Sequence, residues 1–190
     1  MISGSKKIRL YLFALWLGVI ICSIALFFFE ESFVVERFAK IFTSSSILGY
    51  AIFLLASSLR GFTLIPVTYF ILVGIVFIPA VPLFIMTIIG ILISSASLYY
   101  FSEYLNFDEY FEKNHKKQID KITAVITKNE LPIVITWSFM PFLPTDLICY
   151  VCGTLDIPIR KFLFGILVGE GIASALYIFL GKEVLSLISF

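Results

Sequence analysis

Residues 61–102 read GFTLIPVTYFILVGIVFIPAVPLFIMTIIGILISSASLYYFS, 42 residues without a charge. Wound as one helix, this stretch is roughly twice as long as a bilayer core is thick. Pro66, Pro79 and Pro82 forbid that, because proline lacks the N–H and clashes with the preceding turn. The pieces flanking the first break, 47–59 and 66–78, hold 13 residues each. Such a piece makes a helix of about 20 Å, short of the roughly 30 Å of hydrocarbon. Two short arms joined at Arg60, Gly61, Phe62 and Thr63 predict a re-entrant hairpin, and 82–102 predicts a full span.

The rest of the chain fits this reading. It has 190 residues, of which 60% are hydrophobic and 14% charged, with a mean hydropathy of +1.04. A soluble domain of this size cannot hide so much apolar surface. That excludes a soluble enzyme, a disordered chain, a disulfide scaffold and a coiled coil. A net charge of +1 gives no basic footprint for nucleic acid. Cys22, Cys149 and Cys152 are an odd set inside apolar stretches, and His115 is the single histidine, so no metal site or cofactor is expected.

The expected architecture is an all-α integral membrane protein, one domain over 1–190. Residues 1–30 carry an N-terminal transmembrane helix, with 10–29 uncharged and no small-residue cleavage site at its end. Residues 31–46 form an interfacial helix, with a charged loop as the alternative. Residues 47–102 are repeat 1. Residues 103–130, rich in lysine and carboxylates, form a cytoplasmic amphipathic segment. Residues 131–190 are repeat 2: arms at 131–143 and 144–155, meeting at Pro141, Phe142, Leu143 and Pro144, then a last span at 162–180. With the N-terminus inside, ten Lys and Arg fall inside and three outside, which favours a cytoplasmic N-terminus and a C-terminus on the opposite side.

The two halves share their punctuation. Pro66, Gly74, Pro79 and Gly90 are followed by Ser95, Ala96, Ser97, Leu98 and Tyr99. Pro144, Gly153, Pro158 and Gly169 are followed by Ser174, Ala175, Leu176 and Tyr177. Gly to Pro is five residues in both, and Pro to Gly is eleven in both. Each half is a hairpin plus a span, entered from opposite sides: an inverted repeat, as in transporters with broken helices near the midplane. Irregular backbone at that depth must face protein or a water-filled cavity.

Three ionisable residues fall at membrane depth: Arg60 at the first tip, Asp146 near the second, Glu170 in the last span. Each costs about 2.5–3.5 kcal/mol there and needs a partner or water. Arg60 is expected to hold an anion, with Asp146 and Glu170 as proton-coupling candidates. The alternatives are a structural Arg60–Asp146 pair, a helix-capping Asp146, and a Glu170 that only serves helix packing. Pro66 and Pro144 suit the first turn of each second arm, which would aim two helix N-termini at the centre. Gly165, Gly169 and Ala173 share one face of the last span, a close-packing pattern. Gly74, Gly90 and Gly153 are further packing candidates. Cys149 and Cys152 have CxxC spacing but no companion ligands, and read as small buried residues. No nucleophile elbow, P-loop, zincin or dinucleotide motif is present, so no enzyme is expected.

The stretch Ser138, Phe139, Met140, Pro141, Phe142, Leu143, Pro144, Thr145, Asp146, with Gly153, Pro158, Phe162 and Gly169 beyond it, resembles the DedA family, also called the VTT-domain or SNARE-associated Golgi protein family. The resemblance covers about 47–181. It implies two opposed re-entrant hairpins and movement of lipids between leaflets, undecaprenyl phosphate or phospholipid among them. The family's second-hairpin Arg falls at Ser138 here, and Arg60 stands at the equivalent place in the first half. The acidic residues of proton-dependent members near the first hairpin are absent. The expected substrate contacts are Arg60, Thr63, Pro66, Ser138, Pro141, Pro144 and Asp146. The reading is a flippase or scramblase for a phosphate-bearing membrane lipid in a prokaryotic inner membrane, with a homo-oligomer allowed. The alternatives are a proton- or ion-coupled transporter of a small anion and a membrane scaffold that binds a partner protein.

Overall fold

The computed structural model describes residues 11, 13, 15–18, 46–105, 126, 128–140 and 143–188. Residues 11, 13 and 15–18 are helical; the remainder of the expected first span lies outside the described residues. So do the expected interfacial helix at 31–46, apart from Ser46, most of the segment at 103–130, and Cys22, His115 and Pro141.

Among the described residues all regular structure is helical, without strands. Helix α1 is Ser46–Leu59, followed by a 3-10 turn, Arg60–Thr63, and then α2, Val67–Phe77. Helix α3 is Ala80–Leu105, α4 Glu130–Phe139, α5 Thr145–Thr154 and α6 Ile159–Ala175. One π-helical turn, Leu176–Leu180, carries α6 without a break into α7, Gly181–Ile188. The span expected at 82–102 thus begins earlier and ends later. The one expected at 162–180 is part of a continuous helix from Ile159 to Leu185. At 26 and 27 residues, both are long and apolar enough to cross a membrane.

Their faces are turned inside out relative to a soluble helix. Along α3 the outward stripe is Val81, Ile85, Ile89 and Ile93, each more than 40% exposed. The inward stripe includes Thr87, Gly90, Ser94, Ser95 and Ser102. Lipid solvates the apolar side, and small or hydroxyl residues let helices approach closely. Along α1 the buried face is Gly49, Phe53 and Ser57, and Arg60 continues it into the turn.

Each break has a local cause. The chain leaves α1 through the 3-10 turn, whose end is Leu64 in the left-handed region at φ 57°. Thr63 donates its hydroxyl to the Arg60 carbonyl at 2.6 Å, which tightens the turn. Pro66 then bars continuation and biases Ile65 away from helix. Pro66 and Pro144 cap α2 and α5 with extended backbone, at φ −59°, ψ 139° and φ −62°, ψ 115°. They stand one position before the first helical turn in which the sequence suggests them. Pro79 and Pro158 start α3 and α6 alike, each accepting a helical N–H four residues on, from Leu83 and Phe162.

Packing centres on α3, which contacts α1, α5 and α6, while α4 packs along α6. The tightest approaches are at glycines. A Cβ on Gly169 would lie 2.6 Å from the Ile135 carbonyl oxygen and 2.7 Å from Ser138 Cβ. On Gly165 it would lie 2.7 Å from Val134, and on Gly90 it would lie 2.9 Å from Ser57 Cβ. Gly74 faces Phe53 and Leu83, and Gly153 faces Tyr99 and Ser102. The Tyr99 hydroxyl donates to the Ile157 carbonyl at 2.7 Å and ties α3 to the α5–α6 connection.

Candidate functional site

Between the starts of α2 and α5, the end of α4 and the middle of α6 lies a cavity of about 90 Å³. That is room for a few waters or one small anionic group. Arg60, Asp146 and Glu170 line it and are buried, at 2%, 2% and 3% exposure. The two chain breaks bring them together. Arg60 enters from the turn after α1, Asp146 from the first turn of α5, and Glu170 from mid-α6.

The Arg60 guanidinium is only partly used. Nη1 donates to both Asp146 carboxylate oxygens at 3.4 Å and to the Ile65 carbonyl at 3.4 Å. Charge-assisted bonds usually close to about 2.7–2.9 Å, and a fork-on-fork pair engages two nitrogens. Here one nitrogen does all the work, at long range. Nε and Nη2 have no hydrogen-bond partner among the described residues, and neither does the buried Ser138 hydroxyl on the same cavity wall. Orphaned donors of this kind are costly in a dry interior and call for water or a ligand.

The carboxylates are held differently. Asp146 accepts from Arg60 and is the acidic residue in the first turn of α5, whose cap, Pro144, makes no side-chain bond. Glu170 accepts a hydrogen bond from the Thr145 hydroxyl, so α5 and α6 are joined beside the cavity. The backbones of Val67, Thr68, Thr145 and Asp146 begin α2 and α5, and all four residues line the same space. Their N–H groups are among those that a helix leaves without intrahelical partners.

Of the residues singled out from sequence, Arg60, Pro66, Ser138, Pro144, Asp146 and Glu170 line the cavity. Thr63 does not; its hydroxyl serves the turn. Thr68, Met140, Leu143, Thr145, Ala173 and Tyr177 also line it and were not expected. Thr68 had a signal: it stands two residues after Pro66, as Asp146 stands two after Pro144. Tyr177 had none, since its place depends on the π-helical turn.

No curated protein and no solved structure matches the chain. The family model of the VTT domain matches residues 64–183. Two long apolar helices accompany that match, as a membrane protein requires. The match takes in α2 through the start of α7 and covers more than half of the sequence, so the chain belongs to the VTT-domain family, the DedA family of membrane proteins.

Proposed function

We propose that this protein moves a phosphate-bearing lipid between leaflets, with the phosphate held in the Arg60 cavity. The observation that carries the reading is the pair of unpartnered guanidinium nitrogens inside a buried cavity at two helix starts. Arg binds phosphate through two parallel N–H groups, and helix N-termini favour the same charge. Asp146 holds Arg60 in place, and Glu170 is the proton-coupling candidate together with it. A membrane-associated family with lipid-related transport agrees with this.

The arrangement proposed is an inverted repeat of two re-entrant hairpins, α1–α2 and α4–α5, each with its span, α3 and α6. Matched contacts support it. Gly90 meets Ser57, and Gly169 meets Ile135. Ser57 precedes Pro66 by nine residues, as Ile135 precedes Pro144 by nine. The small-anion alternative calls for a closed polar cavity and the scaffold alternative for a dry packed centre. The cavity here is polar on one side and meets apolar side chains, Met140, Leu143 and Ala173, on the other. We place the protein in a prokaryotic inner membrane with its N-terminus in the cytoplasm.

Reconstitution into liposomes with labelled phospholipid or undecaprenyl phosphate tests this. Wild type should exchange the label between leaflets. Arg60→Ala should abolish exchange while the protein remains folded, and Arg60→Lys should keep only part of it, because an ammonium cannot form the planar fork. Undiminished exchange by Arg60→Ala would refute the proposal.

A further inference from the structure

A second space adjoins the cavity. It is an apolar groove of about 290 Å³ lined by Pro132, Ile133, Thr136, Trp137, Met140 and Leu143. Residues 132, 133, 136 and 137 share one side of α4, because steps of three and four return to the same face, and Met140 follows directly after the end of the helix. Val134 and Ser138 occupy the opposite, buried side of that helix. Met140 and Leu143 line both spaces, so the groove and the polar cavity meet at the break between α4 and α5. Across that break the Trp137 indole N–H donates to the Pro144 carbonyl at 3.2 Å. Trp137 therefore walls the groove and at the same time ties it to the residue that starts α5 at the cavity.

A free inorganic anion has no use for such a groove. An amphiphile fits both spaces: its charged end reaches the spare Arg60 donors, and its chain continues past Met140 and Leu143. At Leu55 and Ile85, by contrast, the apolar side chains are exposed and line neither space. We infer that the outer face of α4 is the chain-binding half of the site, in which one hydrocarbon chain of a phosphate lipid lies against Trp137. This rests on the lipid reading above and adds to it where the chain leaves the cavity. Burial of the chain against the groove strengthens binding in proportion to the apolar area covered. Met140 suits the junction, since its unbranched thioether adapts to differing chain shapes.

The chain has two tryptophans, Trp16 and Trp137, so Trp16→Phe leaves Trp137 as the sole indole. This variant, in dodecyl maltoside micelles, is titrated with phosphatidic acid brominated along one acyl chain, since bromine quenches an indole on contact. Trp137 fluorescence should fall to a plateau and recover with unbrominated phosphatidic acid but not with diacylglycerol. Thr136→Phe fills the groove from an exposed position, where the fold tolerates it. It should raise the half-saturating concentration about tenfold. Equal quenching by brominated diacylglycerol would overturn the inference, leaving the groove as ordinary lipid-facing surface. Unchanged binding in Thr136→Phe, with loss in Arg60→Ala, would overturn the groove and leave the phosphate site standing. Displacement by inorganic phosphate as effective as that by phosphatidic acid would instead remove the lipid reading itself.

Discussion

Arg60 and Asp146 form the kind of contact whose role is decided by what is left over. A buried pair is costly to break from one side, about 3–5 kcal/mol when one partner is removed. A lock that served only the fold would be expected to use the fork fully. At 3.4 Å, with Nε and Nη2 idle, this one does not. Arg60→Ala and Asp146→Ala should each impair lipid exchange, and the double variant should stay inactive. Full recovery of exchange in the double variant would reassign the pair to holding the two breaks together. Ser138 gives a cleaner separation of stability from activity. Its hydroxyl has no partner among the described residues, so Ser138→Ala removes no hydrogen bond between them. Thermal unfolding in detergent should move by less than about 1 kcal/mol, while exchange slows if that hydroxyl meets the phosphate.

At the level of elements, α6 offers an internal control. Gly169 and Gly171 lie two residues apart on one helix but face different surroundings. A Cβ at Gly169 would run into the Ile135 carbonyl oxygen, which is backbone and cannot rotate away, whereas at Gly171 it would only touch Ile88 at 3.9 Å. Gly169→Ala should cost about 1–3 kcal/mol by pushing α4 off α6. Gly171→Ala should be neutral or stabilising by up to about 1 kcal/mol. Denaturation of the two variants side by side checks the contrast. Three of the four short helices were legible in the sequence to within a residue, because proline ends a helix by a local mechanism that needs no knowledge of the fold. The arm expected at 131–143 ends four residues early, at Phe139, since the chain leaves helix at Met140 ahead of Pro141. Arg60, Asp146 and Glu170 were legible as well, since a charge in a run of hydrocarbon has few other reasons to be there. The Thr145–Glu170 bond, Tyr177 and the groove on α4 were not. Each depends on how helices far apart in sequence lie together, and apolar runs exposed to lipid give no periodic signal to show which side faces protein.

For the molecule as a whole, the Lys and Arg asymmetry of the sequence leads to the proposal that the two ends of the chain lie on opposite sides. Reporter fusions after Lys7 and after Phe190 should report opposite compartments; same-side reporters would overturn the inverted arrangement. The π-helical turn at Leu176–Leu180 bears on how the two halves act together. Its i→i+5 bonding takes up about one residue more than an α turn does, and one residue is worth about 100° of helical rotation. Before that turn, Gly165 and Gly169 face α4; after it, Gly181 lies against Ile75 of α2. The turn therefore brings Gly181 back toward the face that carries Gly169, so the 27-residue rod from Ile159 to Leu185 meets α4 along its first half and α2 near its end. Deleting the exposed Phe179 should convert the π-helical turn to an α turn and leave Gly181 against Ile75, so thermal unfolding of that variant in detergent should change far less than it does when a residue is deleted from the regular part of α6.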